Sequence, residues 1–588
     1  MDSSSRLRKA ALRALASFNH LTRIVEHNRW FILTGWLTTA FCLVVGIPLF
    51  LRMPLWCDAT LYEISARNIL SGGVHYRDVF DTNPPGFPWL LSGVRLFVGT
   101  GSESVRIADL LIVFAISIFL VRLARSAGAT STGIAWLAAS VAAFYLFIHE
   151  FNHVQRDVWM LLPAIAAIWL RLRSVEGGRH PFAAAFLEGL LWGLGCWIKP
   201  QLLLVAVLVW FVAAGRFRST REAVRTFIPV FSGGIVVGLL GLGWLVGTGT
   251  WPYFLDVWQN WNTTYAEVVN KELIYRIRSQ QLNYFPPYSC FALLAVPLAV
   301  CNLRHRSSTD PMHFRRAVLA GTYLSWIFTT LLLQRGLHYA HVPETLLMLA
   351  VFAANRWPIP FILVLVQVLV GIFVLAATHM PGLMDAHNRF QKESWVYRTF
   401  TYPNEAFNLE RTRWWADCLG NHPSRELHKH AAMFVNHFGA LDPVELGAVE
   451  DYLRTQAVRD GELIAWHNSP HGLYLALDIK PSFRFMHVGT VYGLGPWQRE
   501  QVLRELQAAI PQARFAVSDL HCVTKQYERL IEVGPDGLPQ VLPAWQRAEF
   551  PFNQPVVFRS PSGRYLVHKI SNPVTSCVIP EKLDQELP

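Results

Sequence analysis

The stretch WFILTGWLTTAFCLVVGIPLFL, residues 30–51, carries no charged side chain over its whole length. A helix needs about 20 apolar residues to cross the hydrocarbon core of a bilayer, so this run predicts a membrane-spanning helix. Further apolar runs follow it, at about 105–124, 131–149, 157–172, 182–198, 200–214, 227–248, 285–302, 316–333, 339–355 and 358–378. We therefore predict a polytopic α-helical membrane protein with about 11 transmembrane helices.

The overall composition supports this fold class. Only 16% of the 588 residues are charged and 52% are hydrophobic, whereas a soluble globular protein carries about 25% charged residues. The formal net charge of +11 lies mainly in short loops between apolar runs, where Lys and Arg set membrane topology. No long basic tract alternates with aromatic residues, so we expect membrane lipid, and no nucleic acid, as a partner.

The positions of Lys and Arg predict the orientation of the spans. Residues 1–29 are basic and predict a cytoplasmic N-terminus. Alternate loops are basic as well, through Arg122, Arg125, Arg171, Arg173, Arg179, Arg216, Arg218, Arg221, Arg225, Arg304, Arg306, Arg315 and Arg316. With eleven spans in this register, the C-terminal part lies on the outer, extracytoplasmic face.

The predicted transmembrane domain, residues 30–380, contains two long outer loops, at 52–104 and 249–284. The apolar stretch 84–98 inside the first loop holds three prolines, so we predict a helix that lies at the membrane interface. The second loop is rich in aromatic residues, and for Trp251, Trp258 and Trp261 we favour a place in the interfacial aromatic belt over sugar stacking.

From residue 381 to residue 588 the composition is that of a water-soluble domain. Periodicity predicts helices over 442–456 and 496–509. Alternating and β-branched runs predict strands within ELIAWH (462–467), RFAVSD (514–519), PVVFRS (555–560) and RYLVHKI (564–570). We predict a small α/β domain on the outer face of the membrane.

Ionisable residues concentrate at the outer ends of the spans. They are Asp58, Glu63, Arg77, Asp78, Asp81, His149, Glu150, Arg156, Asp157, Lys199, Arg335, His338 and His341. Charged groups at membrane depth are costly, so their presence beside spans indicates function. A carboxylate acts as a general base for a hydroxyl, while Lys, Arg and His neutralise a phosphate leaving group. Apolar and aromatic surroundings would suit a lipid-linked substrate.

The first outer loop, CDATLYEISARNILSGGVHYRDVFDTNPPGFPWLL (57–91), resembles that of GT-C membrane glycosyltransferases. It is most similar to the bacterial branch related to protein O-mannosyltransferases, aminoarabinose transferases and rhizobial lipopolysaccharide-core transferases. The shared features are Asp58 after the first span, the segment from Gly73 to Asp78, and the pair Pro84-Pro85. The motifs QRDVWMLLP (155–163), KPQ (199–201) and QRGLHYAHVPE (334–344) resemble later outer-face motifs of the family.

The resemblance implies transfer of a sugar from a polyprenyl-phosphate donor, at a bacterial inner membrane, to an acceptor that is a glycan, a lipid or a protein. Asp58 and Asp157 are the predicted catalytic residues. The predicted donor-phosphate and lipid ligands are Arg77, Arg156, Lys199, Gln201, Arg335, His338 and His341. Other predicted cleft residues are Tyr62, Glu63, Tyr76, Asp78 and Glu150. We expect no cofactor and no metal, since Ala59 replaces the acidic residue that often follows the family's Asp.

Two other functions are considered. A transporter or flippase for a lipid-linked glycan would use the same apolar and cationic features without a base. A zinc metalloprotease is the second alternative, because His149-Glu150-Phe151-Asn152-His153 has the H-E-x-x-H spacing. That mechanism requires both histidines on one helical turn and a third ligand. The sequence shows no convincing third ligand, and glycosyl transfer is the prediction we favour.

Overall fold

The computed structural model describes residues 28–99, 101–176, 181–217, 219–264, 285, 287–334, 337–380, 382, 413–420, 424–433, 439–488, 495–524, 526 and 529–571. Its first part is a bundle of helices: α1 (Arg29–Arg52), α2 (Cys57–Leu70), α3 (Gly86–Val98), α4 (Ser102–Ser126), α5 (Ser131–Tyr145), α6 (Arg156–Val175), α7 (Pro181–Ile198), α8 (Leu202–Ala214), α9 (Thr220–Gly247), α10 (Trp251–Asp256), α11 (Ala292–Leu303), α12 (Pro311–Leu333), α13 (Val342–Ala354) and α14 (Ile359–His379).

Each predicted span overlaps one of these helices, namely α1, α4 to α9 and α11 to α14. Within the described residues, six helices are long and apolar enough to cross a membrane on their own, and the other apolar helices are shorter. The prediction of a multi-pass helical membrane protein is confirmed. The stretch 84–98, which we separated from the spans, forms the helix α3.

Local sequence determines where several of these helices begin. The Asn28 side chain accepts a hydrogen bond from the backbone N–H of Trp30 at the start of α1. The Asp310 side chain accepts one from Met312, with Pro311 at the first position of α12. These side chains satisfy backbone N–H groups that have no partner inside the helix. Polar capping residues directly before apolar runs thus define the helix starts.

The basic loops meet at one end of the bundle. Arg315 binds both carboxylate oxygens of Glu176, at 2.8 and 2.6 Å, and Arg316 donates to the carbonyl oxygen of Ala127 at 2.7 Å. These contacts join the loops that follow α4 and α6 to the first turns of α12. The alternation of basic loops along the sequence therefore corresponds to one basic face in the fold.

The second part is an α/β domain, residues 439–571. Its four-stranded sheet has the order β1-β2-β4-β3, with β1 and β2 parallel and the other pairs antiparallel. The elements are α15 (Arg425–Ala431, just before the domain), α16 (Pro443–Thr455), β1 (Leu463–Ala465), α17 (Gly472–Ala476), α18 (Pro496–Ala509), β2 (Phe515–Asp519), α19 (Ala544–Arg547), β3 (Val556–Arg559) and β4 (Tyr565–Lys569). All four predicted strands and both predicted helices are present.

The α/β domain packs directly on the first loop of the bundle. Leu61 and Ile64 of α2 are buried in the same apolar cluster as Val517 of the central strand. Arg484 donates to the carbonyl oxygen of Tyr76 at 3.0 Å, and its own carbonyl oxygen accepts from the N–H of Phe80 at 2.9 Å. This packing fixes the start of α2 against the domain.

The predicted place of Trp261 in an aromatic belt is wrong. Its side chain is fully buried, with ring centroids 4.7 Å from Phe80 and 5.4 Å from Phe485. The large aromatic surface is therefore used to join the second loop to the α/β domain, a contact between residues that are distant in sequence.

Candidate active site

Asp58 lies in the first turn of α2, close to the point where the chain leaves α1. Its side chain is 20% exposed, and its Oδ1 lies 3.8 Å from Nε2 of His487 in the α/β domain. The Sγ of Cys57 is 3.9 Å from the same oxygen. Burial lowers the pKa of His487, and the carboxylate of Asp58 opposes that change. Asp58 is thus an accessible carboxylate at a junction between two structural units, a common place for a binding site.

Arg156 faces the same side of α2. Its Cζ lies 5.9 Å from the ring centroid of Tyr62, and Tyr62 is one helical turn after Asp58, so both point from one face of the helix. Arg156 is only 8% exposed. Its Nε and Nη1 make no hydrogen bond within the described part of the chain. Burial raises the pKa of Tyr62, with Arg156 opposing and Asp58 adding to the increase.

Asp81 belongs to this group, although we did not include it among the predicted site residues. Its Oδ1 accepts hydrogen bonds from the backbone N–H and the side-chain amide of Asn83, at 3.0 and 2.6 Å. Burial raises the pKa of Asp81 to about 6, while Arg156 and the Asn83 hydrogen bonds oppose the increase. Asp81 therefore changes charge close to neutral pH, beside the guanidinium.

Asp157 and Lys199 form a buried ion pair. The Asp157 side chain has no exposed surface, and its Oδ1 accepts from Lys199 Nζ at 2.5 Å. Lys199 also donates to Oε1 of Gln334 at 2.8 Å. Asp157 was predicted to be catalytic and Lys199 to bind the donor phosphate. The geometry instead favours a positioning role for Asp157, because a fully buried, ion-paired carboxylate does not reach an acceptor.

Several predicted cleft residues make ion pairs or packing contacts of their own, although Tyr76 also lies within range of the charges of Asp81 and Arg156. Glu63 pairs with Arg95 at 3.0 Å, and Arg77 pairs with Asp78 at 2.6 Å. The hydroxyl of Tyr76 donates to the carbonyl oxygen of Asn83 at 2.7 Å, and its ring is buried against Phe254. Glu150 accepts from the backbone N–H of Met433 at 3.1 and 3.2 Å. Each of these residues makes a structural contact, and Arg77 and Asp78 also line a pocket together with Lys480 of the α/β domain.

The remaining predicted ligands have other contacts or lie outside the described residues. His341 is 2.6 Å from Glu344, and the His338 ring lies 6.1 Å from that of Phe151. Gln201 is the residue just before α8. Arg335 lies outside the described residues.

Comparison with known protein families gives a match for the segment that contains Arg156 and Lys199. Residues 82–244 match the family described as dolichyl-phosphate-mannose-protein mannosyltransferase. This segment is mannosyltransferase-like. The resemblance to protein O-mannosyltransferases is thereby confirmed for this segment, which includes the end of the first outer loop. The segment contains Arg156, Asp157 and Lys199, whereas Asp58 and His487 lie outside it.

Three solved structures are similar to the chain over most of its length. ArnT from Cupriavidus metallidurans bound to undecaprenyl phosphate is 15% identical, with 92% of this chain and 98% of that chain covered and a TM-score of 0.49. The apo oligosaccharyltransferase of Archaeoglobus fulgidus is 11% identical, with 85% and 71% covered and a TM-score of 0.43. AglB from the same organism, in complex with an inhibitory peptide and a dolichol-phosphate, is 12% identical, with 85% and 70% covered and a TM-score of 0.42. These likenesses assign neither activity nor site residues. No curated protein sequence matches the chain.

Within the mannosyltransferase-like segment, the H-E-x-x-H string does not form a zinc-protease helix. α5 ends at Tyr145, His149 has extended backbone, and Glu150–Asn152 is a single 3-10 turn. Nε2 of His153 lies 2.9 Å from the carbonyl oxygen of Tyr145. The two histidines therefore do not project from one face of an α-helix, which the zinc-protease mechanism requires. The geometry contradicts this alternative.

A different group has the composition and spacing of a metal site. Among the described residues, ligand atoms of Cys57, Asp58 and His487 all lie within 4.8 Å of one another. Sequence reasoning missed His487, because the α/β domain carries no recognised motif. Gln334 and Tyr339 were also missed as individual residues, although both lie in the quoted motif 334–344. Tyr339 is 5% exposed and within range of the charges of Asp58 and Arg156.

Glu63 gives a testable pH dependence of stability. Burial raises its pKa to about 7, and Arg95 opposes the increase. Because the folded-state pKa of Glu63 is above its unfolded value, the protonated carboxyl stabilises the folded protein at low pH. This stabilisation is lost as the pH rises through about 7. We expect the thermal midpoint of the wild-type protein in detergent to fall between pH 5 and pH 8, and to fall less in Glu63→Gln. Equal pH slopes for the two proteins would contradict this assignment.

Proposed function

We propose that this chain is a membrane glycosyltransferase that moves a sugar from a polyprenyl-phosphate donor to an acceptor hydroxyl. One observation carries the proposal. Arg156 is nearly buried, and its Nε and Nη1 make no hydrogen bond in the described structure, although Nε lies 3.9 Å from Oδ2 of Asp157. The guanidinium faces the side of α2 that bears Asp58. A buried guanidinium with unused donors fits a phosphate, to which Arg binds through parallel hydrogen bonds.

The proposed reaction uses these two residues in distinct roles. Asp58 takes the proton from the acceptor hydroxyl, and the oxygen attacks the anomeric carbon of the sugar. The bond between that carbon and the phosphate oxygen breaks, and the electron pair leaves with the polyprenyl phosphate. Arg156 stabilises the negative charge of the leaving phosphate. Asp157 holds Lys199 at 2.5 Å and keeps the buried charges balanced. We propose that transfer needs no cofactor.

A cluster of buried aromatic side chains surrounds Tyr62, the ring that Arg156 faces. The Phe87 ring centroid lies 4.8 Å from that of Tyr62 and 5.0 Å from that of Trp159. Trp89, on the same helix, lies 5.2 Å from Trp197. This packing holds Tyr62 in place and gives Arg156 an apolar surrounding, which strengthens its attraction for a phosphate. The family that matches residues 82–244 is likewise described by a dolichyl-phosphate sugar.

We place the protein in a bacterial inner membrane with the N-terminus in the cytoplasm and the α/β domain in the periplasm. The basic face formed by Arg315 and Arg316 supports this orientation, because Lys and Arg are enriched in cytoplasmic loops. The acceptor would then be a glycan, lipid or protein on the outer side. The position of the α/β domain beside Asp58 makes it the natural surface for acceptor selection.

The proposal can be tested with purified protein in lipid vesicles that contain a polyprenyl-phosphate hexose labelled in the sugar. We expect free polyprenyl phosphate and labelled glycan to form together when an extract of the producing cells supplies the acceptor. A flippase would instead move the intact labelled lipid across the bilayer and leave the sugar–phosphate bond whole. Translocation without bond cleavage would therefore replace this proposal with the transporter.

A further inference from the structure

The side chains of Cys57, Asp58 and His487 form a three-residue group, which we call the junction triad. Cys57 and Asp58 come from the first turn of α2, and His487 comes from the α/β domain. Sγ of Cys57 lies 3.9 Å from Oδ1 of Asp58, and Nε2 of His487 lies 3.8 Å from that oxygen. The triad exists only because the two parts of the chain are packed together.

The spacing of the triad is close to that of a tetrahedral zinc site. Zinc binds Cys sulfur at about 2.3 Å and His nitrogen or carboxylate oxygen at about 2.0–2.2 Å, which separates neighbouring ligand atoms by about 3.4–3.6 Å. The observed separations are 3.9 and 3.8 Å. All three ligand atoms lie within 4.8 Å of one another, so side-chain rotation on a backbone that stays in place would bring them to one ion.

The chemistry of the donor atoms favours zinc over magnesium or calcium. A thiolate and an imidazole are ligands for zinc and similar transition metals, whereas magnesium and calcium take oxygen ligands. The ring of His487 also makes a hydrogen bond to the backbone of Cys57. Zinc-bound histidines usually donate their second ring nitrogen in this way, which fixes the orientation of the ring.

We propose that the junction triad binds one zinc ion and that bound zinc inhibits the transferase. The inhibition rests on the proposed function of Asp58 as a base, whereas the binding does not. A carboxylate that is bound to zinc has its lone pairs directed at the metal, so it no longer takes a proton from the acceptor. Three protein ligands also leave a fourth position on the ion, which water would fill.

Zinc binding is tested on the full-length protein in detergent, after removal of metals with a chelator. Titration with zinc against a chromophoric chelator is expected to give one site per chain. Cys57→Ser and His487→Ala should each weaken binding at least tenfold, and cobalt should give a thiolate charge-transfer band that Cys57→Ser removes. Cys301→Ser and His305→Ala, on exposed residues at the basic end of the bundle, are matched controls and should bind zinc as the wild type does.

The second measurement is the zinc concentration that halves the transfer rate, relative to the zinc-free rate of the same protein. We expect this concentration to rise at least tenfold in Cys57→Ser and to stay unchanged in Cys301→Ser. Absent or unaltered zinc binding in the triad variants overturns the site, and faster transfer with zinc overturns the inhibition. If no transfer is found under any condition, the proposed function fails while the binding measurement still decides whether the site exists.

Discussion

Asp58→Asn is expected to lower the transfer rate by about 10³-fold, the middle of the range in which a positioned general base acts. The amide has nearly the shape of the carboxylate but does not accept the proton of the acceptor hydroxyl. Asp58 is 20% exposed and its nearest ionisable neighbour is His487 at 3.8 Å, so the substitution removes a charge without opening a cavity. Initial rates of polyprenyl phosphate release, in vesicles with equal amounts of folded protein, measure the effect.

Asp78→Asn is the matched control for this prediction. Asp78 lies in the same outer loop but pairs with Arg77 at 2.6 Å, in the turn after the far end of α2. We expect its transfer rate to stay within about twofold of the wild type, as is usual for a surface ion pair. A transfer rate of Asp58→Asn that equals that of the control would remove Asp58 from the reaction. Gel-filtration profiles in detergent establish that both variants are folded.

The membrane part of the fold follows from local sequence. An apolar run such as residues 30–51 must form a helix inside a bilayer, because every backbone polar group must be paired within the segment. Polar capping residues such as Asn28 and Asp310 then mark where helices begin. The strands of the α/β domain were predicted for a similar reason, since each is a short alternating or β-branched run.

The candidate site is only partly predictable from sequence. Asp58 and Arg156 lie in motifs that resemble a known family, and the structure brings them to one face of α2. The sequence does not show which charges neutralise one another. Pairs such as Glu63 with Arg95 and Asp157 with Lys199 form between helices, so their geometry depends on packing. Charged residues that looked equivalent along the chain therefore differ in role.

The string His149-Glu150-Phe151-Asn152-His153 and the junction triad both show that sequence spacing alone does not predict a metal site in this protein. The string has the spacing of a metal site but lacks the helix that would align it. The triad has the geometry of a metal site, but His487 is far from Cys57 and Asp58 in sequence and has no motif around it. Metal-ligand geometry is a property of the folded chain, and spacing along the sequence predicts it only within one regular element.

Arg156→Met is expected to lower kcat/KM for the donor by about 10²–10³-fold, as loss of one preorganised charge at a reacting group commonly does. Methionine keeps much of the apolar contact with Tyr62 and removes the guanidinium. Because the charge acts on both the bound donor and the leaving phosphate, we expect KM for the donor to rise and kcat to fall together. Arg156→Lys should recover only part of the loss, since an ammonium lacks the planar pair of donors.

Arg77→Met separates this role from a general effect of positive charge. Sequence reasoning treated Arg77 and Arg156 alike as donor-phosphate ligands. Arg77 pairs with Asp78 at 2.6 Å and its side chain is 49% exposed, whereas Arg156 lies 3.9 Å from Asp157 and its side chain is 10% exposed. We expect Arg77→Met to change kcat/KM less than twofold. Direct binding of polyprenyl phosphate to each purified variant should weaken only in Arg156→Met. Equal losses in both variants would mean that the phosphate is held by the overall field of the loop and not by the buried guanidinium.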